Sequence, residues 1–107
     1  MRVPTTQVIS VGIIDDNARD REVLLAHLSE FQKDSPHQFQ VTQFDDGAAL
    51  LENYQPDFDV LFLDIQMAGI DGMRAAAAIR KVDTSVMIIF VTKTAQYATS
   101  GYSVQAQ

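Results

Sequence analysis

The sequence predicts an α/β fold, a doubly wound parallel sheet with helices on both faces. Val60 to Leu63 and Val86 to Val91 are unbroken apolar runs, the pattern of strands buried on both faces. Helical stretches separate the apolar segments, with crossovers of the length that parallel strands require. The segments end in polar residues, Asp15-Asp16, Asp64 and Thr92, and right-handed crossovers would gather these at one edge of the sheet.

Val8 to Ile14 is the first strand, most apolar at Val11, Ile13 and Ile14. It ends at Asp15-Asp16, and Asn17 can cap a helix running to about Lys33. Leu24, Leu28 and Phe31 share one face of that helix, with Val23 beside them. Asp20 and Glu22 lie near its start, where the helix dipole favours negative charge. Asp34 to His37 is a loop containing Pro36. Phe39 to Phe44 alternates imperfectly and predicts a shorter strand at a sheet edge. Asp45-Asp46-Gly47 breaks it as a turn, and Ala48 to Tyr54 forms a short helix. Gln55-Pro56-Asp57 stops that helix before the central strand, Val60 to Leu63, which ends at Asp64.

Gly69, Asp71 and Gly72 are turn residues. The third helix spans residues 72 to 81, with Met73, Ala76, Ala77 and Ile79-Arg80 toward the sheet. Asp83-Thr84-Ser85 is a turn, and Val86 to Val91 is a strand ending at Thr92. Ala95 to about Ser100 is expected to be helical, and Gly101 to Gln107 to trail off without a fifth strand.

The chain has 107 residues, the size of one domain, 1–107. A net charge of −6 argues against wrapping nucleic acid, which needs a basic face. The absence of Cys excludes disulfides and thiolate sites. No apolar run is long enough to cross a bilayer, and MRVPTTQ lacks a signal-peptide apolar region, so a cytoplasmic location is expected. His27 and His37 have no partner at metal-ligand spacing, and Met67, Met73, Tyr97 and Tyr102 are expected to pack.

Asp64 ends a buried strand beside a strand-to-helix loop, where open α/β sheets bind ligands. A lone Asp there is often only a turn former, and Asp15-Asp16 alone could be a helix-capping turn. If strands one, three and four are neighbours, the three polar ends lie within roughly 5 to 10 Å. Carboxylates that close repel, and a cation or a proton must offset the repulsion. An all-oxygen acidic site suits Mg²⁺, which keeps waters and binds phosphate. A metal beside an ionised Asp fits phosphoryl transfer, and a strand-end Thr can donate to a phosphoryl oxygen.

IIDDN (13–17), FLDIQMAGIDG (62–72) and IIFVT (88–92) resemble, in order, the motifs of response-regulator receiver domains of two-component signalling. The resemblance implies a flavodoxin-like sheet, here with strand order 2-1-3-4. It implies that Asp64 is the phospho-acceptor, that Asp16 binds Mg²⁺ directly, and that Asp15 does so mainly through water. The backbone carbonyl of Gln66 would be a further ligand, and Thr92 would contact the phosphoryl group and switch with it. The phosphodonor would be a phosphohistidine on a sensor histidine kinase. The segment 90–106, with Tyr97-Ala98 and Gly101-Tyr102-Ser103-Val104, is similar to receivers joined to a LytTR-type DNA-binding domain. That resemblance implies transcription regulation by an output domain not present here.

The sequence departs from the family in places. The usual Pro after Met67 is Ala68, and Lys93 follows Thr92 where many receivers carry a small residue. The Lys that usually ends the family's fifth strand would lie past Gln107, along with the last helix. Phosphorylation is therefore expected to be weak, with Lys93 expected to substitute in part over the pocket. The fourth strand is expected to be an exposed apolar edge, favouring self-association through it or through residues 92 to 107. Two other functions compete. One is a receiver-like interaction module that works without phosphorylation. The other is an aspartyl-phosphate hydrolase, disfavoured because Gln66 stands where such enzymes carry a second Asp.

Overall fold

A computed structural model describes residues 7–92 and the strand at 103–106. The elements are β1 (Val8–Ile14), α1 (Ala18–Lys33), β2 (Gln38–Phe44), α2 (Gly47–Glu52), β3 (Val60–Asp64), α3 (Gly72–Val82), β4 (Met87–Thr92) and β5 (Ser103–Ala106). The sheet order is β2-β1-β3-β4-β5. The first four strands are parallel, giving the expected doubly wound 2-1-3-4 arrangement. β5 corrects the expectation that the chain trails off. It runs antiparallel to β4, pairing Ile89↔Ala106 through Thr92↔Ser103. The β4 edge is thus covered from Ile89 onward, because the returning chain satisfies backbone groups that would otherwise face outward. The predicted helix at 95–100 lies outside the described residues.

One sheet face carries the main core. Ile14, Leu61, Leu63, Ile88 and Phe90 pack with Leu50 of α2 and Ala75, Ala76 and Ile79 of α3. The small alanines let α3 lie close to the strands. Met73 and Ala77 are exposed, against expectation. The buried positions Gly72, Ala75, Ala76 and Ile79 follow the i, i+3, i+4, i+7 stripe, and the other two fall off it. The opposite face is thinner. Val11 and Ile13 are buried, but α1 has no fully buried residue. Leu24 and Leu28 are half-buried, whereas Phe31 and Val23 are exposed. Caps set the helix starts. Asn17 accepts from Asp20 N, Asp46 from Ala49 N and Asp71 from Arg74 N. Asp46 therefore starts α2 rather than serving only as a turn, and α2 ends at Glu52, before Tyr54.

A polar clip closes the end of the fold opposite the strand C-termini. Tyr54 Oη donates to Asp83 Oδ2 at 2.6 Å, and Asp83 Oδ1 accepts from Ser85 N and Val86 N at 3.1 and 3.2 Å. The Tyr54 bond holds the buried Asp83 carboxyl below its ordinary 3.8. Burial, with Asp83 beside it, raises the Tyr54 phenol above its ordinary 10.0. Tyr54→Phe should cost about 1–2 kcal/mol in urea unfolding at neutral pH. Asp83's contribution is present above pH 3.8 and is lost as pH falls below it, so the gap between parent and variant should narrow in acid. Tyr54's contribution is present below pH 10.0 and is lost as pH rises above it, because the unfolded phenol ionises first.

Candidate acidic site at the strand ends

β1 and β3 are neighbours, paired through Ile14↔Leu63. Asp15 and Asp64 are the next residues on the two strands, so they emerge side by side at the C-terminal rim. Both are buried, at 6% and 3% exposure, while Asp16 is exposed. One carboxylate oxygen from each of Asp15, Asp16 and Asp64 lies within 4.8 Å of the others. The three acids that the sequence singled out are thus together. Asp46 is not among them; its carboxylate caps α2.

Backbone donors fix the cluster. Asp15 N donates to Phe44 O at 3.1 Å, tying the end of β1 to the end of β2. Asp15 Oδ1 accepts from Asn17 N at 2.9 Å, and Asp64 Oδ1 from Gln66 N at 3.2 Å. Asp16 Oδ2 accepts from Ala68 N at 3.2 Å, joining the β1–α1 loop to the β3–α3 loop. Proline at that position could not make this bond, since it has no N–H. The departure at Ala68 therefore changes how Asp16 is held.

Arg21 was not singled out from sequence. Its Nη1 donates to the Asp15 carbonyl at 2.6 Å and its Nε to Gln43 Oε1 at 3.1 Å. Helical side chains lean toward the helix N-terminus. An Arg one turn past the Asn17 cap is therefore placed to reach back to the loop, which is a signal the sequence did contain.

The β3–α3 loop turns at Gly69, whose φ of 78° suits glycine. Gly72 then presses against the strand end. Its N–H donates to Ile65 O at 3.0 Å, and a Cβ there would fall on the Asp64 carbonyl and 2.9 Å from Ile65 Cα. On the other side, Asp64 pairs with Val91, so the backbone of Thr92 ends β4 at the same rim. The Thr92 side chain, Lys93, Tyr97, Ala98, Gly101 and Tyr102 lie outside the described residues.

Two ionised carboxylates 4 Å apart repel by about 4 kcal/mol at the effective dielectric of a protein surface. A hard divalent cation relieves this and takes oxygen ligands. Three convergent carboxylates, with Asp16 exposed, fit Mg²⁺ by donor type, and an octahedral ion held by so few protein ligands would keep positions for water or phosphate.

Comparison with known proteins agrees with this geometry. The family described as response regulator receiver domain matches residues 11–107. The "positive alginate biosynthesis regulatory protein" of Pseudomonas aeruginosa is 26% identical over 98 residues, 92% of this chain. The chain spans only 39% of that relative's length. The crystal structure of the response regulator TrrA from Thermotoga maritima in complex with Mg²⁺-BeF superposes with a TM-score of 0.69 at 27% identity, over 86% of this chain and 76% of that one. TrrA in complex with the histidine kinase ThkA gives a TM-score of 0.62 at 26% identity, over 87% of this chain and 77% of that one.

Proposed function

The chain belongs to the response regulator receiver domain family, and on that premise we propose that it is a phosphoryl-accepting switch with Asp64 as acceptor. The observation that carries this reading is the convergence of the Asp15, Asp16 and Asp64 carboxylates from neighbouring strand ends. Mg²⁺ would be held by those three side chains and the backbone carbonyl of Gln66. When bound, it would neutralise the cluster and the charge of the transferring group.

Asp64 does the covalent chemistry. Its carboxylate oxygen attacks the phosphorus of a phosphohistidine on a sensor histidine kinase, forming a P–O bond as the P–N bond breaks. The Gln66 N–H on Asp64 Oδ1 orients the carboxylate for that attack. TrrA, seen both with Mg²⁺-BeF and with a histidine kinase, supports this pairing of chemistry and partner. Thr92, at the rim beside Asp64, would donate to the phosphoryl group and transmit the change. Lys93 would modify the same pocket. Gln66 lacks the acid/base chemistry that rapid hydrolysis of the aspartyl phosphate needs, so the domain stores signal rather than turning over substrate. In this reading it is not an enzyme on other molecules.

The alginate regulatory relative is longer, which supports an output region beyond this chain. We assign that region to DNA-binding transcription control of the LytTR kind, and the domain to the cytoplasm. Among the described residues, no helix is long and apolar enough to cross a membrane. Beryllofluoride, which stands in for the phosphoryl group, tests the reading. With Mg²⁺ it should shift the backbone amides of Asp64, Gln66 and Thr92, and Mg²⁺ alone should shift fewer. No beryllofluoride-dependent shift would leave the interaction module as the better reading.

A further inference from the structure

The β2 edge of the sheet carries an inference independent of the phosphoryl site. Gln38 N donates to Gln7 O at 2.9 Å and Asp15 N donates to Phe44 O at 3.1 Å. Parallel ladder bonds alternate along a strand, so Gln38, Gln40, Thr42 and Phe44 turn their backbone groups toward β1. Phe39, Val41 and Gln43 turn theirs outward. Gln32 Oε1 caps Phe39 N at 2.9 Å. Among the described residues, the outward backbone groups of Val41 and Gln43 meet no partner.

Natural edge strands are usually blunted by charge, Pro, a bulge or short length. β2 spans 7 residues, QFQVTQF, with no charged residue and no Pro, and pairs with β1 in unbroken register. Beside it, Phe31 is 64% exposed and stacks on Phe39 at 6.0 Å between ring centroids. Backbone groups and apolar surface are thus open on the same edge. This edge lies in mid-chain, so it is present whatever flanks the domain.

We propose that β2 pairs with β2 of a second copy of this chain, antiparallel about a two-fold axis at Val41. In that register Val41 faces Val41, Phe39 faces Gln43, and the residues whose backbone groups point outward oppose one another. Phe39 N keeps its Gln32 cap, so the Phe39–Gln43 pair makes one bond, from Gln43 N–H to the Phe39 carbonyl. The next pair outward is His37 opposite Asp45. His37 Nδ1 already accepts from Gln7 N, which leaves Nε2–H to donate to the opposing Asp45 carboxylate. The self-complementarity of this register selects a second copy over an unrelated strand. The net charge of −6 on each copy opposes approach, so the dimer is weak and tightens as salt screens the repulsion.

Sedimentation equilibrium of the chain at sub-millimolar concentration tests this, with backbone amide spectra to verify the fold. The parent should dimerise, and more tightly at higher salt. Val41→Pro removes an outward N–H and no bond to β1, so it should weaken the dimer at least about tenfold. His37→Glu, which sets a carboxylate opposite Asp45, should weaken it about tenfold, and Asp45→Lys in the same chain should restore it to within about threefold. A parent that stays monomeric overturns the proposal. So does a folded Val41→Pro that dimerises like the parent, which would place the contact away from the β2 edge. Where Val41→Pro does not fold, the charge pair decides, and a His37→Glu, Asp45→Lys chain that stays as weak as His37→Glu overturns the register.

Discussion

Asp64→Asn should abolish phosphoryl uptake, with incorporation from acetyl phosphate or a sensor kinase falling by at least about a hundredfold. The amide keeps the shape of the side chain and the acceptor oxygen for Gln66 N, so the fold should persist. Only nucleophilicity and charge are lost. The same variant carries a second signature. Removing one of three crowded carboxylates relieves repulsion, so without Mg²⁺ the variant should be more stable than the parent by about 1 kcal/mol. Adding Mg²⁺ should stabilise the parent more than the variant, by ligand linkage. Phosphoryl transfer measured with radiolabelled donor, and urea unfolding with and without Mg²⁺, check the two halves separately. Uptake that survives in Asp64→Asn would move the acceptor elsewhere.

Gly72→Ala should cost about 3 kcal/mol and weaken the acidic site with it. The added methyl meets the carbonyl of Asp64 and the Cα of Ile65, which are backbone atoms, not the far end of a side chain that could rotate aside. α3 must shift away from the end of β3, and Asp64 moves with the strand. Gly69→Ala is the contrast. Its φ of 78° strains any side chain, but no atom lies within 4 Å of the added group, so it should cost only about 1 kcal/mol. Thermal unfolding of the two variants should separate close approach from backbone conformation. A Gly72→Ala chain as stable as Gly69→Ala would mean that α3 and β3 are not held as tightly as the contact implies.

The fold was legible in the sequence where burial on both faces left unbroken apolar runs, as in β3 and β4. Asn17 marked the start of α1 as a cap, whereas Asp71, expected as a turn residue, caps α3. Three things were hidden. β5 is a short antiparallel return whose sequence, SVQA, has neither a long apolar run nor a turn signal of its own. The exposure of Met73 depends on the phase of α3, which the alanine run leaves undetermined because alanine tolerates either face. The Tyr54–Asp83 clip joins residues 29 apart in the chain, and no local pattern encodes a side-chain bond of that span. The three clustered acids were legible because they stand where apolar runs end. Arg21 left a weaker signal, its place one turn past the Asn17 cap, whereas the role of the Ala68 N–H appears only once the loops are folded against one another.

Isothermal titration of Mg²⁺ into the metal-free chain tests the central claim most directly. Binding of one ion is expected, weakened at least about tenfold by Asp16→Asn or Asp15→Asn and left unchanged by Asp46→Asn, whose carboxylate only caps α2. Failure to bind, or equal binding in all three variants, would contradict it, for then the Asp15, Asp16 and Asp64 carboxylates would not form a cation site.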